Sequence, residues 1–402
     1  MDFSFTDEQD ALVAKVRAFV TDRVAPAAAE HDRTGVLPPE FLRELADADL
    51  FALSIPRRFG GLGLDAVSTG AALEELARGE PAACHPVQNA ALIGGIIAAN
   101  CDEERQADWL PPIARGESIV ALCLTEPRHG TDAAAIGLTA TPDPDGGDWR
   151  LDGTKTSIMA GAYATHGLVF ARTGGDRTRG GAASGGAGGR PPSGGGARGV
   201  TAFFTPLDEP GVTRERLSDL GHRAGGRATL EFNGLRVGPE NVVGDVGAGF
   251  VEVMRGFGYS RALIALTALA SASASLDDAI GYARERTAFG EPIGRFQGVA
   301  FPLAEHATYL KAARMLAYEA LWRKDQGLDH RLEANMAKGW APKAAVDAHH
   351  QALLTFGHFG WSTGNPVERR LRDGIGLEIA DGTANATKLV VARHLLGREH
   401  AP

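Results

Sequence analysis

The spacing of apolar residues changes twice along this chain of 402 residues, and that change constrains the fold more than any other feature. From residue 1 to about 118, apolar side chains recur every three or four residues, as on a helix with one buried face. From about 119 to 240, short β-rich runs alternate with turn residues. Helical spacing then returns. The pattern predicts an α+β protein with an N-terminal helical domain (1–118), a middle β-barrel or sandwich domain (119–240) and a C-terminal helical domain (241–402).

Local signals refine this plan. Thr6, with Gln9 three residues later, predicts a capping box at the start of the first helix. Long helical patterns predict C-terminal helices over Ala262–Arg286, Gln297–Gln326, Leu332–Phe356 and Thr387–Leu396. The run Phe59–Gly63 is interpreted as a turn, because no strand precedes it and it lacks the glycine spacing of a nucleotide-binding loop.

A glycine-rich segment interrupts the middle domain. Of the 26 residues from Gly174 to Gly199, 12 are glycine. The segment contains four arginines but only one acidic residue, Asp176. Such a composition predicts a flexible insertion between two strands, because it has too few apolar side chains to offset the entropy of ordering. The alternative is a basic tether for a partner or a phosphate.

Charge and cysteine content exclude several classes of protein. The 41 basic and 50 acidic residues give a formal charge of −9, without a basic block, so a nucleic-acid partner is not expected. Three cysteines without a CxxC pair argue against a disulfide framework or a zinc ribbon, and no other metal-binding spacing appears. No secretory signal is expected. The longest apolar stretch, Ala262–Leu276, is too short and too rich in hydroxyls for a membrane span. These features favour a cytoplasmic enzyme.

Several loops carry groups that could do chemistry. In Leu122–Asp132, threonine hydroxyls and exposed backbone N–H groups could bind carbonyl, hydroxyl or phosphate groups, although the same spacing is typical of a simple turn. Arg284 and Arg286 could bind a phosphate or compensate the dipole at a helix C-terminus. Gly357–Trp361 is a weak phosphate signal. Asp381, beside Gly382, could be a catalytic group or the N-cap of the last helix.

Taken together and in this order, six motifs resemble the FAD-dependent acyl-CoA dehydrogenase family, over nearly the whole chain apart from the insertion. They are FTDEQ at Phe5–Gln9, FGGLGL at Phe59–Leu64, CLTEPRHGTD at Cys123–Asp132, LDGTKTSI at Leu151–Ile158, RTAFGEPIGRFQ at Arg286–Gln297 and IADGTANATKLVVAR at Ile379–Arg393.

The resemblance implies the family fold, with a C-terminal four-helix bundle, a homotetramer, and FAD between the middle and C-terminal domains. It implies flavin contacts at Leu122, Leu124, Thr125, Gly130, Thr131, Ser157, Ile158 and Met159. It implies contacts to the dinucleotide across a subunit interface at Arg286, Phe289 and Gln297. It implies an adenine-side loop at Gly357, His358 and Gly360, and contacts to FAD near the last helix at Thr383 and Asn385. Thr131, Arg261 and Gly382 are the expected substrate contacts.

This chain departs from the family pattern in three places. The second flavin loop commonly carries Trp, Ile and then Thr or Ser, whereas here it carries Ser157, Ile158 and Met159, so an aromatic wall and a hydroxyl are missing. His358 replaces a usual glycine. The catalytic base is Asp381, where most members have Glu; the earlier position used by some branched-chain members holds Ser260, which is no base.

An aspartate base is found in two subgroups of the family, the cyclohexanecarboxyl-CoA and cyclohexenecarboxyl-CoA dehydrogenases and nitroalkane oxidase. The runs around Asp381 and Lys155 resemble the first subgroup more. The implied reaction is α,β-dehydrogenation of an alicyclic or α-branched acyl-CoA. Asp381 is expected to remove the α-proton while the flavin accepts the β-hydrogen as hydride, with electron-transferring flavoprotein as the final acceptor. Alternatives are a nitroalkane-type flavin oxidase, a dehydrogenase for acyl carrier protein thioesters, and a catalytically silent flavin- or partner-binding scaffold.

Overall fold

The N-terminal domain is a bundle of helices. The structure is a computed structural model, and it describes residues 3–143, 146–173 and 198–402. The capping box is confirmed, because the Thr6 hydroxyl accepts from the Gln9 N–H and the Gln9 side chain accepts from the Thr6 N–H. A π-helical turn, Val20–Val24, joins the first two helices. The helices are α1 Asp7–Phe19, α2 Ala25–Thr34, α3 Pro39–Asp47, α4 Ala66–Gly79, α5 Pro81–Asn100 and α6 Glu103–Ala114.

The middle domain is one curled sheet. Its strands are β1 Val120–Cys123, β2 Thr139–Pro142, β3 Trp149–Ile158, β4 His166–Arg172, β5 Val200–Pro206, β6 Val212–Arg216, β7 Ala228–Val237 and β8 Val242–Val243. The order across the sheet is β6-β7-β3-β2-β4-β5-β8, and β1 pairs parallel to β4 beside β2. Alternate residues of β4 and β5 face opposite sides, so Val169 and Phe203 fill the interior of the sheet while Phe170 and Phe204 pack in the core shared with the helices.

The C-terminal domain is helical, as the sequence predicts. Its elements are α7 Gly249–Glu285, the hairpin strands β9 Thr287–Ala288 and β10 Glu291–Pro292, α8 Gln297–Asp325, α9 Arg331–Phe356, α10 His358–Trp361, α11 Pro366–Ile379 and α12 Ala384–Leu396. Helix α7 begins 13 residues before the predicted Ala262. Gly256 and Gly258 weaken the helical signal there, but a Cβ at Gly256 would lie 2.8 Å from Leu92 Cδ1. The glycine therefore lets α7 pack closely on α5.

Two helices are long and apolar enough to cross a membrane, by length and composition alone. They are Pro81–Asn100 and Gly249–Glu285, and 78% of the most apolar window of each is buried inside the molecule. Both pack in the main core, which joins the N-terminal helices to α7, α8 and α9. The absence of a membrane span stays a prediction. The glycine-rich segment 174–199 lies outside the described residues, apart from its last two.

Candidate active site

A cavity of about 540 Å³ lies where the three domains meet. Its walls come from the loop after β1, the end of β3, the loop before β7, one face of α5, the first half of α7, and the turn between α11 and α12. That volume is within the usual range for a cofactor or small-molecule site.

A buried ion pair shapes the loop after β1. Lys155 Nζ, on β3, lies 2.8 Å from Glu126 Oε1 and donates to the Leu124 carbonyl at 3.0 Å. The Glu126 carboxylate also accepts from the N–H groups of Gly137 and Leu138. Burial raises the pKa of Glu126, but the Lys155 ammonium and these N–H groups outweigh it and hold the pKa below its usual value. The pair therefore fixes the backbone from Leu124 to Leu138.

A β-bulge sets the second loop. The pairing of β3 with β7 shifts between Lys155 and Ile158, so one extra residue is accommodated, and Ser157 has a positive φ of 60°. Ser157 and Met159 consequently line the cavity, whereas Ile158 is buried in the interior of the sheet. The Ser157 hydroxyl accepts from Arg227, and Arg227 is ion-paired with Asp219. A charged pair thus lies beside the position where the family commonly has an aromatic side chain.

The turn after α11 carries Asp381. Its φ is +52°, and Gly382 follows with a φ of +103°, so the chain reverses sharply here. The Ser260 hydroxyl, from α7, donates to the Asp381 carboxylate. The N-cap of α12 is Thr383, whose hydroxyl accepts from the Ala386 N–H. The interpretation of Asp381 as a helix N-cap is therefore wrong, and its side chain is free to face the cavity.

Two cations, the buried Lys338 and the half-buried Arg261, hold this turn by its backbone carbonyls. Arg261 Nε donates to the Asp381 carbonyl at 3.0 Å, and Lys338 Nζ donates to the Gly382 carbonyl at 2.9 Å. Arg261 also donates to Asn335 Oδ1. Within the described ranges neither cation forms an ion pair with a carboxylate. Burial lowers the pKa of Lys338 to about 8 although Asp381 nearby opposes that shift. Positive potential therefore surrounds the Asp381 carboxylate.

The cavity brings together much of the predicted site. The members that line it are Leu122, Leu124, Thr125, Gly130, Thr131, Ser157, Met159, Arg261, Asp381, Gly382 and Thr383. The remaining predicted residues do not line it: Ile158 is in the sheet, and Arg286, Phe289, Gln297, Gly357, His358, Gly360 and Asn385 lie elsewhere on the C-terminal domain. Most of the second group is exposed, Phe289 by 97%.

Sequence reasoning missed the lysine and the polar wall of the cavity. Lys338 lies on the alanine-rich helix α9, where an isolated lysine at a buried position could have been the signal. Along the otherwise apolar α5, His85, Gln88, Asn89 and Leu92 recur at helical spacing and line the cavity. His222, from the loop before β7, could not have been placed beside them from sequence, since it is 137 residues from His85.

Comparisons with known proteins agree with this architecture. Family models match all three parts of the chain: acyl-CoA dehydrogenase N-terminal domain at residues 6–117, middle domain at 121–235 and C-terminal domain at 247–396. The mitochondrial short-chain specific acyl-CoA dehydrogenase of Rattus norvegicus is 35% identical over 383 residues, which cover 94% of this chain and 88% of the relative.

Solved structures show the same fold. Butyryl-CoA dehydrogenase from Megasphaera elsdenii superposes with a TM-score of 0.91 at 30% identity, covering 98% of this chain and 100% of that one. A prolyl acyl carrier protein oxidase superposes with a TM-score of 0.89 at 26% identity, covering 98% and 100%. With a helical, a sheet and a helical domain enclosing this cavity, the chain belongs to the acyl-CoA dehydrogenase family. It is an oxidoreductase of a family of FAD-dependent flavoproteins.

The cavity fits a flavin. Leu122 and Leu124 offer apolar surface, and the hydroxyls of Thr125 and Thr131 form no hydrogen bond within the described residues. A Cβ added at Gly130 would meet nothing within 4 Å, so open space lies beside the loop backbone. Apolar walls with a few unpartnered polar groups suit a ring system that carries carbonyl and ring-nitrogen atoms. These residues would hold the flavin end of FAD.

Proposed function

We propose that this protein catalyses α,β-dehydrogenation of an alicyclic or α-branched acyl-CoA thioester, with Asp381 as the base. One observation carries the proposal. Of the acidic side chains that line the cavity in the described part of the chain, Asp219 is ion-paired with Arg227, and Asp381 has no cationic side-chain partner. Glu252, a carboxylate on α7, does not line the cavity and is buried beside Gly244.

The surroundings of Asp381 suit proton abstraction. FAD, when bound, supplies the acceptor for the β-hydrogen as hydride. Asp381 takes the α-proton on its carboxylate, and the Ser260 hydroxyl bonded to that carboxylate fixes its orientation. Positive charge from Arg261 and Lys338, which hold the backbone of this turn, would stabilise the negative charge that develops on the thioester oxygen.

A short base favours a bulky acyl group. Asp is one methylene shorter than Glu, so its carboxylate reaches about 1.5 Å less far from the backbone. Ala380, beside it on the cavity wall, is also small. The space left near the base can hold a ring or a branch at the α-carbon, which a longer base would displace.

The experiment is an anaerobic screen of acyl-CoA thioesters that follows bleaching of the flavin. Rapid bleaching by cyclohexanecarboxyl-CoA or its cyclohexene analogue, with slow bleaching by butyryl-CoA and octanoyl-CoA, would support the proposal. The Asp381→Glu variant should shift this preference towards straight chains. Rapid bleaching of the wild type by straight chains alone would refute the substrate class.

Two other activities can be separated in the same assays. The likeness to a prolyl acyl carrier protein oxidase favours testing the same acyl group on an acyl carrier protein, since the cavity itself does not distinguish the two thioesters. A nitroalkane-type oxidase would consume oxygen with a nitroalkane and without any thioester, which an oxygen electrode detects.

The proposal extends to the assembly and the acceptor. Aromatic side chains around the β9–β10 hairpin and α10 are exposed, including Phe289, Phe359 and Trp361 by 97%, 49% and 81%. Such a surface is typical of an interface, and three of the predicted cofactor residues outside the cavity, Phe289, His358 and Gly360, lie on the same hairpin and helix. We infer a cytoplasmic homotetramer in which a neighbouring copy completes the FAD site, with electron-transferring flavoprotein as acceptor. Light scattering of the FAD-loaded protein tests the tetramer.

A further inference from the structure

The wall of the cavity formed by α5 is polar, which an apolar acyl group does not explain. His85, Gln88 and Asn89 all face the cavity from this helix, and His222 meets them from the loop before β7. His85 Nε2 lies 3.0 Å from His222 Nδ1. The side chains of His85, Gln88 and His222 are almost fully buried, with 7%, 7% and 5% of their residue surface exposed.

The backbone around this pair of histidines is built to admit it. A Cβ at Gly376 on α11 would lie 3.1 Å from His222 Cδ2, and a Cβ at Gly225 would lie 3.2 Å from His85 Cδ2. The His222 N–H donates to the buried Asp373 carboxylate, and its φ is +48°, a region that non-glycine residues seldom occupy. His222 is thus held in a strained backbone conformation, and Gly376 and Gly225 leave room for the rings of His222 and His85. We infer that the two rings are specifically positioned and not loosely packed.

Three atoms of this wall have no partner within the described residues. His222 Nε2 is buried without a hydrogen bond. Asn89 Nδ2 donates to the carbonyls of Val120 and Met159, which can only accept, so its Oδ1 must face away from them. Gln88 Nε2 donates to Thr267, whose own hydrogen goes to the Leu263 carbonyl, and Gln88 Oε1 therefore also remains free.

These free atoms have a defined chemistry. The two amide oxygens are acceptors only, and the imidazole nitrogen is either a donor or an acceptor. Burial and the neighbouring His222 hold the pKa of His85 well below its usual value, so His85 is neutral at physiological pH. His222 Nε2 is unfavourable without a partner because it is buried, whereas the amide oxygens of Gln88 and Asn89 belong to residues that line the cavity. A hydroxyl group on a ligand can satisfy both kinds of atom, since it donates and accepts.

We propose that Gln88, Asn89 and His222 form a polar subsite for the acyl group, and that the acyl group of the natural substrate carries a hydroxyl on its ring or chain, away from the thioester. This inference rests on the proposed function, since it presupposes an acyl thioester in the cavity. It specifies a hydroxylated alicyclic acyl group rather than a plain hydrocarbon ring.

The test compares the binding of cyclohexanecarboxyl-CoA with that of its 3-hydroxy and 4-hydroxy derivatives. The FAD-loaded Asp381→Asn variant allows dissociation constants to be measured from the flavin spectrum without turnover. We expect at least one hydroxylated thioester to bind about tenfold more tightly, the effect of one or two neutral hydrogen bonds. Gln88→Met and His222→Asn, each added to Asp381→Asn, should reduce that ratio to about one. Asparagine at position 222 tolerates the left-handed backbone but is too short to replace the imidazole.

His349→Asn is the matched control. His349 is also fully buried with an unpartnered Nε2, but it is bonded to Ser275 and does not line the cavity. It should keep the tenfold ratio even if it lowers stability, because a general loss of structure weakens both thioesters alike.

The outcomes separate the two proposals. Equal or tighter binding of the plain ring, or a preference for hydroxyl that survives Gln88→Met and His222→Asn, would overturn the subsite and leave the dehydrogenase proposal intact. Loss of FAD from either variant would make these residues cofactor contacts and would also overturn it. If no thioester binds Asp381→Asn or bleaches the wild-type flavin, the proposed function fails and the subsite fails with it.

Discussion

Two backbone segments of the cavity are each held by a buried lysine, but only one of the lysines has a carboxylate partner. Lys155 is paired with Glu126 beneath the loop after β1. Lys338 donates only to backbone carbonyls beneath the turn of Asp381. The Lys155–Glu126 pair has no net charge and holds the loop backbone in place. Lys338 has no carboxylate partner within the described residues, so its positive charge contributes to the electrostatic potential in the cavity. Under the proposed function, we infer that the first segment positions the cofactor and that the second stabilises negative charge beside the base.

One group in each segment, Glu126 and Lys338, should make the stability depend on pH, and the two dependences lie at opposite ends of the pH scale. The pKa of Glu126 is lowered in the folded protein, so its contribution to stability is present above its unfolded pKa and is lost as the pH falls through the folded value. The pKa of Lys338 is lowered to about 8, so its burial costs stability below pH 8, and that cost is relieved as the pH rises towards its ordinary value of 10.5.

The largest effect is expected from Asp381→Asn. An amide cannot accept the α-proton, and loss of a general base typically costs at least 100- to 10,000-fold in rate. Anaerobic stopped-flow reduction of the flavin measures it. FAD content should stay near one per chain, because the variant is nearly isosteric. Reduction at the wild-type rate would refute the assignment of the base.

Lys155→Met should mainly lower stability, by about 3–5 kcal/mol, because it leaves Glu126 buried and partly uncompensated. Chemical denaturation of the FAD-loaded protein measures the change. Adding Glu126→Gln should recover part of the loss, since the double variant contains no buried charge at this place. If the single variant were as stable as the wild type, the pair would not be the frame of the loop.

Lys338→Met should instead lower the rate of flavin reduction, by about 100-fold, because the turn of Asp381 loses a contact that fixes its position. In the wild type, the rate should decline as the pH rises above about 8, where Lys338 loses its proton. The variant should lack that decline. A decline of the same size and midpoint in the variant would show that another group is responsible.

Arg286→Ala is expected to weaken FAD retention by about 10- to 100-fold, the effect of one charged hydrogen bond of about 1.5–3 kcal/mol. Arg286 is exposed at the end of α7, far along the chain from the cavity loops. Equilibrium dialysis of FAD measures the effect, and the pH dependence attributed to Lys338 should be unchanged. Unaltered retention would remove Arg286 from the cofactor site.

The smallest effect is expected from deletion of residues 174–199 with a short turn in their place. The free energy of loop closure changes slowly with loop length, so neither folding nor turnover should depend on the insertion. Sedimentation and flavin reduction test this. A loss of soluble assembly or of activity would give the segment a function, such as the basic tether considered from its composition.

Local patterns were sufficient for much of this protein. Capping at Thr6 and the order of helical and β segments come from neighbouring residues. The assignment of Asp381 as the base came from the family resemblance and stays a prediction. Periodicity failed at the start of α7, because Gly256 and Gly258 lower helix propensity there and close packing against α5 compensates for it.

The sequence by itself determined which secondary structures form and in which order, because periodicity and capping depend on residues a few positions apart. Only the tertiary structure decided which groups meet. Ser260 and Asp381 are 121 residues apart, and His85 and His222 are 137 apart. The bulge that turns Ser157 and Met159 into the cavity likewise depends on the register between β3 and β7. Contacts of this kind arise from the packing of distant elements, and a lysine such as Lys338 acquires its lowered pKa only when that packing removes water from it.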